Sequence, residues 1–241
     1  MIEGTKSDTI GLILKKIPLS LRKIVKEITL DMAGSMERIV RESFPNAIKV
    51  TDRFHVQQII SEAVQEIRIN VKKEIVNKEN KSIKWHRENK IKFQPFIYKN
   101  GDTKKQLLAR SRYLLFKASS KWTDSQKIRA QILFREYPNI KKAYELSMMF
   151  RNVYECNKTK VDAKQGLERW YQKIKEKNIL EFSQASETIR LHETTILNYF
   201  KNRSTNASAE SFNAKLKHFR SIVRGVRDRR FHLFRIAKLY A

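Results

Sequence analysis

Cysteine is nearly absent from this sequence. Cys156 stands alone in 241 residues, which excludes an internal disulfide framework and any cysteine-rich zinc site and points to a soluble protein of a reducing compartment, the cytoplasm. No run of about 18 apolar residues occurs, and the N-terminus lacks the pattern of a signal peptide, so a membrane-spanning class is set aside. There is no internal repeat and no low-complexity linker. Acidic side chains are scarce beside basic ones. The 25 Asp and Glu stand against 51 Lys and Arg, a formal net charge of +26 spread along the whole length. A polyanionic partner follows from that balance, and duplex DNA, ribosomal RNA and an anionic membrane surface all satisfy it. The length and the 41% of hydrophobic residues suffice for a buried core in one domain or two.

Strand signals are confined to the first sixty residues. Ile10, Leu12, Ile13, Leu14 and Ile17 recur at helical spacing behind Ser7, a candidate cap, and Pro18 ends that segment. The run "VKEITLD" then leads from Val25 into Asp31, "SMERIVRESF" has helical character and is closed by Pro45, and "AIKVTD" leads from Ala47 into Asp52. Strand, helix, strand predicts a parallel pair with a right-handed crossover, so that Asp31 and Asp52 emerge at the same C-terminal edge. Ligand-binding groups concentrate at that edge in open α/β sheets.

From His55 onward the pattern is helical. Val56, Ile59, Ile60, Val64, Ile67, Val71 and Ile75 form one face of a long helix, and further helices are predicted near 103–117, 124–136, 140–155, 163–178 and 187–200, with breaks at "KNGD", "SSKWTD" and "YPN". Tyr113 and Phe116, aromatic among basic residues in "RSRYLLFK", are expected to pack in a helical core rather than stack on bases. The helical residues separate the strand-bearing start from the C-terminal stretch, which divides the chain into residues 1–60 with 195–241 and an all-helical insertion over 61–194.

The stretch "NASAESFNAKLK" carries one acidic residue, Glu210, in a tail where residues 201–241 hold eleven basic side chains and two acidic ones. With Asn206 or Ser208 as cap, Phe212, Leu216, Phe219 and Val223 make one buried stripe, and Glu210, Asn213, Lys217, Arg220 and Arg224 a neighbouring one. Glu210 in a first helical turn complements the helix dipole. It also stands without an ordinary surface ion pair, because the i+4 position is Ala214. Asp31 and Asp52 have structural readings as turn former or helix cap, and Asp52 with His55 in "TDRFH" supplies too few ligands for zinc. Carboxylates on a sheet edge and on a facing helix in a very basic chain also fit a two-Mg²⁺ phosphodiester site, since hard cations take oxygen ligands.

The blocks "VKEITLDMAGSMERIVRESFPNAIKVTDRFHVQQ", "GDTKKQLLARSRYLLFK", "SQKIRAQILFREYPNIKKAYELS" and "NYFKNRSTNASAESFNAKLKHFRSIVRGVRDRRFHLFRIAKLYA" resemble the catalytic domain of bacterial insertion-sequence transposases of the ISL-three family, with a DDE-type site. The resemblance runs over nearly the whole chain. It implies an α/β, RNase H-like core interrupted by a large helical insertion, mostly helical overall, that cleaves and joins double-stranded DNA with Mg²⁺ or Mn²⁺ and assembles as a homo-oligomer. By the motif match, Asp31 takes the place of the second catalytic aspartate and Glu210 that of the glutamate, both as metal ligands. Asp52, His55 and Asn213 are accessory, and Lys217, Arg220, Arg224, Arg227 and Arg229 contact DNA. The family's first aspartate lies on a strand upstream of the segment matched here. Asp8, in the first turn of a predicted helix, does not fit that place. The resemblance therefore implies a C-terminal portion inactive alone, with an incomplete two-metal site and a small sheet with an open edge. Two other readings stay open: a catalytically dead DNA-binding or regulatory product of such an element, and an unrelated basic helical protein that binds RNA.

Overall fold

The structure is a computed structural model that describes residues 6–205, 207–223 and 228–240, with backbone alone at Ser208, Ala209, Glu210 and Arg229. These residues fall into two compact units, Met1–His55 with Thr194–Ala241, and Val56–Glu193. Among the described residues helices dominate and the sheet is small, with no helix long and apolar enough to cross a membrane.

The first unit opens with α1 (Ser7–Lys15) and α2 (Leu19–Lys23), followed by β1 (Glu27–Leu30), α3 (Gly34–Ser43) and β2 (Ile48–Thr51). Lys6, not Ser7, occupies the cap position of α1, and no side chain closes it. α1 packs on α3, helped by Arg38 Nη2 at 3.2 Å from Asp8 Oδ1 and Lys15 Nζ at 3.6 Å from Glu42 Oε2. Arg22 joins the next turn to the end of α3 by donating to the carbonyls of Ile17 (2.9 Å) and Ser43 (2.7 Å). β1 and β2 pair in parallel, Glu27 with Ile48 through Leu30 with Thr51. Two four-residue strands make a marginal sheet on their own, so the flanking helices must stabilise it.

Helix α4 (Arg53–Glu88) runs for 36 residues, about 54 Å at 1.5 Å per residue. Val56, Ile60, Val64 and Ile67 on its predicted face are buried, and Ile59, Val71 and Ile75 are half-buried. Two polar side chains share that burial. Arg68 donates to Gln65 Oε1 (2.7 Å) and to the Leu108 carbonyl (2.8 Å), which satisfies a charge in the interior. Burial, with Arg112 close by, lowers the pKa of its guanidinium.

The rest of the second unit contains α5 (Lys104–Arg110), α6 (Asp124–Glu136), α7 (Pro138–Cys156), α8 (Lys160–Lys177) and α9 (Leu180–Leu191). Thr103 and Thr123 each close a capping box with a glutamine three residues on, and Pro138 sits at the start of α7, where its missing N–H costs nothing. The core is aromatic. Phe150 and Trp170 are fully buried with centroids 4.8 Å apart, and the indole N–H donates to the Leu146 carbonyl at 3.0 Å.

Two helix expectations need correction. The helix predicted over 103–117 stops at Arg110: the Ser111 hydroxyl shares the Leu107 carbonyl (2.5 Å) with its own N–H, and a short 3-10 turn over Leu114–Phe116 follows. That turn buries Leu114 and Leu115 and leaves Tyr113 65% exposed beneath the Arg112 guanidinium, so Tyr113 is no core residue. The helix predicted over 187–200 is two: α9 ends at Leu191, His192 leaves the helical conformation, and α10 (Glu193–Asn202) begins.

The chain finishes in the first unit with α11 (Ala207–Ile222) and α12 (Arg229–Tyr240). The carboxylate of Asp228 accepts from the N–H groups of Arg230 (2.8 Å) and Phe231 (3.2 Å) and so caps α12. Phe219 stacks on His232 and Phe212 meets Tyr240 edge-on, so the two helices touch in antiparallel order. Of the stripe expected to be buried on α11, Phe219 is buried, Leu216 and Val223 are half-buried, and Phe212 remains 41% exposed against Tyr240. Of the two expected caps, Asn206 lies outside the described residues, and Ser208 falls inside α11, which begins at Ala207.

Candidate nucleic-acid-processing site at the sheet edge

The two aspartates owe their placement to the ladder. Ile48 N–H donates to the Lys26 carbonyl and Asp52 N–H to the Leu30 carbonyl, both at 2.9 Å, so the pairing reaches back to Lys26 before β1 and on to Asp52 after β2. Asp31 and Asp52 therefore follow β1 and β2 side by side at the C-terminal edge.

Their surroundings differ. Asp31 is half-buried, and its Oδ1 accepts the Ala33 N–H at 3.1 Å, the local turn that feeds α3. Asp52 is 2% exposed. It immediately precedes α4, but its Oδ1 meets the Phe54 N–H only at 3.5 Å, at the limit of hydrogen bonding, and its buried Oδ2 has no hydrogen-bond partner among the described residues. The Asp52 cap expected from the sequence is thus a poor one. His55, in the first turn of α4, is half-buried and lies edge-on to the Phe54 ring at 5.5 Å.

Sequence reasoning placed a helix over 187–200 but missed that its second half, α10, fastens this sheet. In a parallel pair alternate residues turn their backbone groups toward the partner strand, so Lys49, between Ile48 and Val50, turns its carbonyl to the open edge. Asn198 on α10 donates to that carbonyl at 2.9 Å, Thr195 Oγ1 meets Thr51 Oγ1 at 2.7 Å, and Asn202 donates to Glu27 Oε2 at 2.6 Å. The open edge is partly covered. The signal was present as a polar stripe at 195, 198 and 202 in the mostly apolar "TILNYFKN".

Glu210 is the fourth residue of α11, and its side chain lies outside what the structure describes, as do Arg224, Arg227 and the Arg229 side chain. Asn213, Lys217 and Arg220 on the same helix are exposed. No group of three His, Cys, Asp or Glu side chains suited to one metal ion is present among the described residues. The donors at the sheet edge are nevertheless hard carboxylate oxygens, one of them buried and unpartnered, and that chemistry fits a divalent cation.

A family model described as Transposase, of the ISL3 group, matches residues 1–236. The chain belongs to the ISL-three transposase family. Two curated relatives, each named "Transposase for insertion sequence element IS1557" and found in two strains of Mycobacterium tuberculosis, are 24% identical to it over 225 residues, which is 93% of this chain and 50% of theirs. This family member thus spans about half the length of the curated relatives it matches. No solved structure matches it.

Proposed function

We propose that this chain carries the carboxylate-bearing part of an insertion-sequence transposase, which cleaves and joins double-stranded DNA in the cytoplasm. One observation carries the reading: the parallel pair sets Asp31 and Asp52 side by side at the edge, within the span of the family match. The first unit is read as an RNase H-like core and the second as a helical insertion. Asp31 and Glu210 hold the cations, with Asp52, His55 and Asn213 as supports. Lys217, Arg220, Arg224, Arg227 and Arg229 bind phosphates and position the backbone of element ends and target. Divalent Mg²⁺ or Mn²⁺, when bound, stabilises charge on the attacking and leaving oxygens of the phosphodiester. The chain's own task is to orient the bond against those carboxylates and to neutralise the DNA with its cations. Homo-oligomers would bring two element ends together.

The relatives are about twice as long, so the test uses residues 1–241 alone and joined to the remaining half of such a relative. Both are assayed with labelled element ends in Mg²⁺ and Mn²⁺. The joined protein should cut, and the chain alone should bind without cutting. Asp31→Asn and Glu210→Gln in the joined protein should each lower cleavage at least a hundredfold, about 2.7 kcal/mol of transition-state stabilisation, with DNA affinity kept. Cleavage that survives Glu210→Gln removes Glu210 from the site.

A DNA-binding, non-cutting product of the element is the second reading. A joined protein that binds but never cuts would establish it. Family membership displaces the unrelated RNA-binding alternative.

A further inference from the structure

Asp52 was expected to cap a helix or to play an accessory part. Its surroundings argue for a more direct one. A carboxylate taken out of water normally finds donors for both oxygens, because an unpaired buried charge is costly. Asp52 is 2% exposed, its Oδ1 has only the 3.5 Å approach of the Phe54 N–H, and its Oδ2 has no hydrogen-bond partner among the described residues. Asp102 in the second unit shows the usual solution, since it too is fully buried but is met by two arginines and an asparagine. Asp52 differs in one further respect: it follows β2 where Asp31 follows β1, and the ladder reaches it through the bond to the Leu30 carbonyl. An orphaned carboxylate oxygen on the residue that follows β2, next to the strand that leads into Asp31, is chemically open to a cation as well as to a hydrogen-bond donor.

We propose that Asp52 supplies a carboxylate oxygen to the same divalent cation that Asp31 holds. The inference rests on the transposase reading of this edge and adds a ligand to it. Mg²⁺ binds through one or two carboxylates and keeps several waters, so a two-aspartate edge suffices for weak occupancy.

The test is cation binding by residues 1–241, followed by the electron paramagnetic resonance of free Mn²⁺ and by thermal unfolding with Mg²⁺ or with chelator. Four proteins are compared: the unsubstituted chain, Asp31→Asn, Asp52→Asn and the pair. Asp52→Asn keeps the shape and removes the charge. It is expected to weaken Mn²⁺ at least tenfold, to abolish the Mg²⁺-dependent rise in Tm, and to unfold no earlier than the unsubstituted chain in chelator, where the uncompensated charge is a burden. An Mn²⁺ affinity within twofold of the unsubstituted chain overturns the proposal, while its loss in Asp31→Asn alone leaves the transposase reading standing. A lowered Tm or an unfolded chain in chelator also overturns it, since the carboxylate would then stabilise the fold with no cation present. Absence of Mn²⁺ binding by the unsubstituted chain sinks both the inference and the metal-holding role of Asp31 in this chain.

Discussion

Asp102 sits in the turn "NGD", where Gly101 adopts φ +79°, a conformation open to glycine at little cost. Its carboxylate, 0% exposed, receives Arg110 at 2.5 Å, Arg129 at 2.8 Å and Asn100 Nδ2 at 2.8 Å, tying the start of α5 to α6. Burial by itself would raise the Asp102 pKa, but the hydrogen bonds and charges of Arg129 and Arg110 outweigh it and hold the carboxyl below the usual aspartate range. Asp102→Asn leaves Arg129, only 17% exposed in its side chain, without its counter-charge, and should cost about 3 kcal/mol in urea unfolding at neutral pH. The sign with pH follows from the depressed value. The folded state binds the proton less well than the unfolded chain, so the contribution is fully present above an aspartate's ordinary value of about 3.9 and is lost as pH falls through the lower folded value. The gap between the two proteins should therefore hold from neutral pH down to about 4 and close only below it. A gap that already narrows near pH 6 would contradict the arginine clamp. In the sequence Asp102 is only the end of the break "KNGD", because its partner Arg129 is 27 positions away.

At the scale of elements, the chain separates helices that specify themselves from those that tertiary contacts define. Thr123 with Gln126 is a self-contained capping box, and Thr123→Ala should cost about 1 kcal/mol, readable as a lower urea midpoint with an unchanged slope. Helix α10 is the opposite case. Its Asn198 satisfies a backbone carbonyl 149 residues earlier, on a strand edge that would otherwise be available for pairing with another chain. Asn198→Ala should destabilise by about 1–2 kcal/mol through the orphaned Lys49 carbonyl. It should also raise aggregation at equal fraction folded, followed by light scattering. Unchanged stability and solubility would mean that water replaces the asparagine. The split between α9 and α10 was invisible to periodicity because apolar positions continue through His192. By contrast α12 was overlooked although Asp228 stands before it as a recognisable cap.

For the molecule as a whole, the net charge of +26 sets what the proposed DNA binding should look like. Binding to duplex DNA should weaken with a log–log salt slope of roughly −0.9 per phosphate neutralised, and several contacts would remove orders of magnitude between about 50 and 200 mM salt. Lys217→Ala or Arg220→Ala, both exposed on α11, should each reduce the slope by about one unit whatever the DNA sequence. An isotherm indifferent to salt would remove the phosphate-binding reading. The sequence by itself determined the charge, the parallel strand–helix–strand start, most of the helices and the family, because these rest on composition, on periods of two and 3.6 residues, and on ordered motif blocks. Only the tertiary structure decided which aspartate is clamped and which is left with a bare oxygen, which polar stripe covers the strand edge, and that Tyr113 faces outward. Those outcomes depend on partners far away in the chain and on the exclusion of water, and neither quantity is carried by local residue order.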